Sequence, residues 1–175
     1  FVQSVFDAVR PDAGFGGCTL VLGGDGRYFN LDAAQQVIRI AAANGFARVL
    51  VGQHGILSTP AASCVIRARG AFGGLILSAS HNAGGPDGDF GIKFNGANGG
   101  PAVERVTDAI YAHTLAITRI LTTDTADVDL GTLGCSTVDG MVVEVFDSVA
   151  DYLALMRQLF DFDALRRLFA GGFRL

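Results

Sequence analysis

The chain lacks a long apolar run: no stretch of its 175 residues approaches the ~20 apolar residues that a membrane-crossing helix needs. A basic excess is also missing. With Lys+Arg 13 against Asp+Glu 17 the formal charge is −4, which gives no electrostatic footing for nucleic acid or an anionic membrane surface. There is no starting methionine, and Phe1-Val-Gln-Ser-Val-Phe-Asp7 has no basic region ahead of an apolar one. It therefore does not read as a signal peptide, and the expectation is an N-terminus that has been cut. Cysteines are few, odd in number and far apart, at Cys18, Cys64 and Cys135. They are expected to be buried free thiols in a reducing cytoplasm rather than a disulfide or metal set. Charged residues make up 17% and hydrophobic residues 50%, which excludes a disordered chain and predicts one sizeable folded domain. No internal repeat is visible.

What is abundant is glycine, 24 residues, which predicts many tight turns and close backbone approaches. Strands and helices alternate between these glycines. A short helix is expected over 2–9. The β-branched run 18–22 reads as a buried strand stopped by Gly23-Gly24, and Asp32 as the cap of a helix that ends at Asn44-Gly45. Further strands are expected over 48–51, 74–77, 91–94 and 141–145. Helices are expected from Ser58-Thr59-Pro60 to Gly70, from Pro101 through Val103, Val106, Ile110 and Ile117, from Asp147-Ser148 through Leu159, and over 161–169. Residues 121–140 are polar and aperiodic, a long connection with room for a short strand. Strands alternating with helices define an α/β layered domain.

Residues 76–95 read ILSASHNAGGPDGDFGIKFN. An apolar strand runs into Ser78-Ala79-Ser80-His81, and ligands of open α/β sheets gather at the carboxyl ends of strands. Gly84-Gly85 lets backbone N–H groups approach an anion. A serine hydroxyl is a poor nucleophile unaided. His81 and the lone lysine Lys93 are the nearest groups in sequence to hold a phosphate or move a proton. The same residues also suit an ordinary turn beside a solvated edge strand. A Ser-His-Asp hydrolase fits poorly, because no Gly-x-Ser-x-Gly elbow surrounds Ser80, and no P-loop sequence occurs. Asp87 and Asp89 are metal candidates whose simpler reading is surface turn residues.

Ser78-Ala79-Ser80-His81-Asn82-Ala83-Gly84-Gly85 followed by Gly88-Asp89-Phe90-Gly91-Ile92-Lys93-Phe94-Asn95 resembles the active-site loop of the phosphoglucomutase family, in the α-D-phosphohexomutase superfamily. The family pattern is Thr-Ala-Ser-His-Asn-Pro-Gly-Gly, then Gly-Asp-Phe-Gly-Ile-Lys-Phe-Asn. GGDGRYFN at 23–30, AAANGFARVLVGQHGILSTPA at 41–61, NGGPA at 98–102 and VEVFDSVADYLALMRQLFDFDAL at 143–165 extend the likeness over nearly the whole chain. The resemblance implies a layered mixed β-sheet flanked by helices, with domain 1 and its phosphoserine loop 76–95 over 1–140. Residues 141–175 would be the end of domain 1 and a lead into a missing domain 2.

The resemblance also implies an enzyme that interconverts glucose 1-phosphate and glucose 6-phosphate through a phosphoserine on Ser80 and glucose 1,6-bisphosphate. One Mg2+ would sit on the Ser80 phosphate, Lys93 would do general acid/base work, and His81 and Asn82 would contact substrate or phosphate or orient the loop. Partners would be a hexose phosphate, with no nucleic acid and no membrane, in a monomeric cytoplasmic parent. Arg27 is expected to be structural, bonding backbone carbonyls or an acid, and His54 to be a polar turn residue. Ser78 stands where the family has threonine, and Ala83 where it has proline. The Gly-Thr-Ser-Gly-Leu-Arg and Asp-Gly-Asp-Gly-Asp-Arg motifs of the family do not occur. The expectation is therefore a piece with little turnover of its own. A non-catalytic relative that kept the fold, and a mutase for another hexose phosphate, remain as alternatives.

Overall fold

The structure, a computed structural model, describes residues 1–174. Its elements run α1 (Val2–Val9), β1 (Thr19–Gly24), α2 (Asn30–Ala43), β2 (Arg48–Ile56), α3 (Thr59–Ala68), β3 (Gly73–Leu77), β4 (Ile92–Gly96), α4 (Glu104–Ala116), β5 (Gly134–Val138), β6 (Met141–Phe146), α5 (Ala150–Leu159) and α6 (Phe162–Ala170). One six-stranded mixed sheet has the order β4-β3-β1-β2-β6-β5. Strands β3, β1, β2 and β6 are parallel to their neighbours, whereas β4 and β5 add antiparallel edges.

The central strands are covered on both faces, so they read as continuous apolar runs. Successive side chains still divide between the faces. Leu20, Leu22, Leu75 and Leu77 join the core under α1 and α2, while Val21 and Ile76 join the core under α3. An aromatic cluster closes the first core, with Phe15 stacked on Phe46 at 4.1 Å between ring centroids. Chain entry into α3 follows the sequence signal: Ser58 caps it through a bond from the Ala61 N–H, with Pro60 in its first turn.

The chain leaves β1 for β2 on one side and returns past β1 to β3 on the other. A crevice therefore opens at the carboxyl ends of β1 and β3, the usual ligand position in such sheets. Gly24 ends β1 there. A Cβ on Gly24 would lie 2.2 Å from Asn30 Oδ1 and 2.3 Å from the Leu77 carbonyl oxygen. Gly24→Ala is therefore expected to destabilise the fold by about 3 kcal/mol or more, a drop of roughly 6–12 °C in Tm, readable by thermal circular dichroism.

Several sequence expectations need correction. Strand β1 continues through Gly23-Gly24, and β2 runs on to Ile56 around a bulge in which His54 (φ 58°) and Gly55 (φ 69°) are left-handed. His54, expected as a polar turn residue, instead lies within β2 at this bulge, and its N–H donates to the Leu130 carbonyl. Helix α2 starts at Asn30, so Asp32 lies in its first turn rather than at its cap. Helix α4 starts at Glu104, because Pro101 is taken up in a bridge with Asn95, and Ile117 falls outside it in extended backbone. The polar connection supplies β5. Residues before it are tied across α2 by Gln35, which exchanges bonds with the Val128 backbone, and by Arg39, which bonds the Thr125 carbonyl and Asp127. Only Cys64 is buried. Cys18 is half-buried and Cys135 exposed, the latter because β5 is an edge strand, and all three are free thiols.

Candidate active site

Strand β3 ends at Leu77, and the chain then holds Ser78 buried while Ser80 reaches the surface in a left-handed conformation, φ 58°. Lys93 comes from the neighbouring antiparallel strand, where it pairs with Ile76. This register brings Lys93 Nζ to 2.5 Å from Ser80 Oγ. The base of the loop is closed by the Ser78 N–H, which donates to the Gly91 carbonyl at 2.8 Å. A Cβ on Gly91 would meet the Ser78 carbonyl oxygen at 2.5 Å, so glycine is required for this closure. Beyond it, the Asp89 N–H donates to the Ala83 carbonyl and the Gly88 N–H to the Gly85 carbonyl.

Arg27 anchors this loop from the turn that follows β1. Its Nη1 donates to the Asp89 carbonyl at 2.6 Å and its Nη2 to the Ser80 carbonyl at 3.4 Å. Its Nε and Nη2 also grip the Asp25 carboxylate at 2.8–3.1 Å. The expected structural role of Arg27, on carbonyls and an acid, matches these contacts. The Arg27 bond is the main cause that holds the Asp25 carboxyl below its usual pKa, and the Ser78 hydroxyl adds to it against the opposing effect of burial. A carboxyl lowered on folding contributes stability above its unfolded pKa and loses it as pH falls through the folded value. The Tm difference between the wild type and Asp25→Asn is thus expected to be full at pH 6–7. It should shrink from about pH 4 downward, the ordinary carboxylate range. Thermal melts across that range check it.

Of the residues singled out from sequence, Ser80 and Lys93 are in contact. His81 is exposed beside them, and among the described residues its ring has no hydrogen-bond partner. Asn82 donates to Asp89 Oδ2 at 2.8 Å, a bond that braces the loop. The sequence reading missed Asp25 and Ser78 as partners of Arg27 and of the serine backbone. Their only sequence signal is the Asp-Gly-Arg spacing at the end of a strand. Lys93 also lines a cavity of about 680 Å³, together with Phe1, Ile92, Phe94, Ile110 and Tyr111. Among the described residues no group of three or more His, Cys, Asp or Glu side chains converges as a metal site. Asp89 is engaged by Asn82. A divalent ion needs several oxygen ligands, and the described residues bring no such set together.

Chemically, an ammonium group donating to a serine oxygen favours negative charge on that oxygen, whether it attacks or departs. Fold and site together define an α/β domain that presents a lysine-paired serine at the carboxyl end of a parallel sheet. The family described as phosphoglucomutase/phosphomannomutase, alpha/beta/alpha domain I, matches residues 1–120, and the chain belongs to it. A phosphoglucomutase of Rhizobium radiobacter is 59% identical over 175 residues, 100% of this chain and 32% of that protein. A cytoplasmic phosphoglucomutase of Populus tremula is 52% identical over 181 residues, 98% of this chain and 31% of that protein. Among solved structures, the open form of the exocytosis-sensitive phosphoprotein pp63/parafusin, a phosphoglucomutase from Paramecium, superposes with a TM-score of 0.91 at 45% identity. That match covers 97% of this chain and 32% of the other. The chain thus spans about a third of the length of the relatives it matches.

Proposed function

We propose that this chain is the phosphoryl-carrying domain of a phosphoglucomutase, which interconverts glucose 1-phosphate and glucose 6-phosphate. Ser80 is the carrier. In the forward step the P–O bond to Ser80 breaks as one forms to a sugar hydroxyl. The hydroxyl loses its proton and Ser80 Oγ takes one up. The intermediate is glucose 1,6-bisphosphate, and return of its other phosphate restores the phosphoserine. Lys93 is the acid/base partner, and the observation that carries the reading is its 2.5 Å contact with Ser80 Oγ. His81 and Asn82 contact the hexose phosphate or its phosphoryl group, which suits their exposure beside Ser80.

A phosphoserine brings about −1.5 to −2 charge to the loop. Bound Mg2+ would neutralise phosphoryl oxygens. Its ligand from this chain would be the Ser80 phosphate, with the remaining ligands coming from other parts of the complete protein. The proposed organisation has residues 1–140 as domain 1 and 141–175 as its end, leading to a second domain, in a monomeric enzyme. The cytoplasm is the proposed compartment, as in the name of the Populus tremula relative. No helix of the described residues is long and apolar enough to cross a membrane.

Incubation of the full-length protein with glucose 1,6-bisphosphate, followed by peptide mass spectrometry, tests the reading. Phosphate on the peptide holding Ser80, discharged by added glucose 1-phosphate, is the expected result. Absence of phosphate on Ser80 in a protein that still interconverts the two sugars would overturn it.

A further inference from the structure

The Ser80 backbone is held by more than the strand that precedes it. Its N–H donates to Ser78 Oγ at 3.1 Å. On the other side Asp25 grips Arg27, and Arg27 Nη2 donates to the Ser80 carbonyl. We infer that Ser78 and the Asp25-held Arg27 fix both peptide groups of Ser80, so that the Ser78 hydroxyl is a positioning group for phosphoryl transfer. The inference rests on the reading of Ser80 as the phosphoryl carrier.

A left-handed backbone is unfavourable for serine, so something outside the residue must hold it at φ 58°. Ser78 and Arg27 are placed to do so, because between them they take up both the donor and the acceptor of Ser80. A hydroxyl at position 78 offers the acceptor that this N–H needs, and an alanine or valine there offers none. Ser78 is 6% exposed, so solvent has little room to replace it. Arg27 is equally specific, since one planar fork reaches the Asp25 carboxylate and the carbonyls of Ser80 and Asp89, which a lysine point charge cannot match. The consequence for chemistry is the aim of Oγ at Lys93. A displacement of ~1 Å in such a pair is enough to lower a rate about 100-fold.

The test uses Ser78→Thr, Ser78→Ala and Ser78→Val, the last having threonine's shape without its hydroxyl. In the full-length protein, Ser78→Thr is expected to keep kcat within about 3-fold. Ser78→Ala and Ser78→Val should lower it about 10- to 100-fold, with KM changed less than about 3-fold. Amide hydrogen exchange on the full-length protein supplies a second readout that does not depend on activity. Ser78→Ala should speed exchange of amides 80–89 at least about 10-fold and leave the interiors of β1 and β3 unchanged, while Ser78→Thr does neither. Wild-type kcat and wild-type loop protection in Ser78→Ala would overturn the positioning role of Ser78. So would equal losses in Ser78→Thr and Ser78→Val, because the hydroxyl would then be irrelevant. If the wild type itself acquires no phosphate on Ser80, the mutase reading fails, and the exchange data still decide whether the Ser78 hydroxyl holds the loop.

Discussion

Replacing Ser80 with alanine in the full-length protein is expected to abolish phosphoenzyme formation and lower turnover by about four to six orders of magnitude. The substitution removes the oxygen that accepts from Lys93. No hydroxyl on this loop stands in for it: Ser78 is buried and its oxygen is engaged by the Ser80 N–H. The fold should be unaffected. Ser80 is exposed, alanine is as unwelcome as serine at φ 58°, and surface changes of this kind stay within about 0.5 kcal/mol. A matched Tm with lost label from glucose 1,6-bisphosphate is therefore the expected pair of results. Retained label with unchanged turnover would remove Ser80 from the chemistry. Ser80→Gly is a useful companion, because glycine relaxes the left-handed backbone and still lacks the oxygen. It should be as inactive as alanine, which separates loss of the nucleophile from loss of loop geometry.

The serine and the lysine were legible in the sequence for a physical reason. An apolar strand that ends in Ser-x-Ser-His, then a glycine-rich turn, then a second short apolar run is what an antiparallel pair requires. In such a pair, Lys93 opposite Ile76 falls beside the residues that follow Leu77. The buried parallel strands were visible for a similar reason, since burial on both faces leaves uninterrupted Val and Leu. Edge strand β5 was hard to see because only Val138 of its residues is buried, so its sequence carries almost no apolar signal. The extension of β2 was hidden by His54 and Gly55, which look like a stop and are instead a bulge that lets the strand continue. Arg27 was read by type, as a structural arginine. Its partners are the backbone of a loop far along the chain, and carbonyl acceptors have no sequence signature. The exposed apolar residues of α5 and α6, among them Leu159, Leu165, Leu168 and Phe169, also differ from the buried stripe that their spacing suggests.

Lys93→Met is expected to lower kcat of the full-length protein about 100- to 10,000-fold while a phosphate on Ser80, once formed, persists. Methionine retains a flexible stem of similar reach and removes every donor, so the change isolates the ammonium group. Lys93 is exposed on an edge strand, and its side chain forms no ion pair among the described residues. Stability should therefore move by less than about 0.5 kcal/mol. Lys93→Arg should recover only part of the loss. Its planar fork keeps the charge, but it is a far weaker acid than an ammonium and does not fit the single-point contact at 2.5 Å. If the role of Lys93 were purely electrostatic, arginine would restore turnover nearly in full. If it is proton transfer to and from Ser80 Oγ, arginine would hold the phosphorylated state and still transfer slowly. Rapid-quench measurement of the single transfer from phosphoenzyme to glucose 1-phosphate reads this directly. A wild-type transfer rate in Lys93→Met would leave the 2.5 Å contact as a feature of the resting loop alone and would require another group to protonate Oγ as the phosphate leaves.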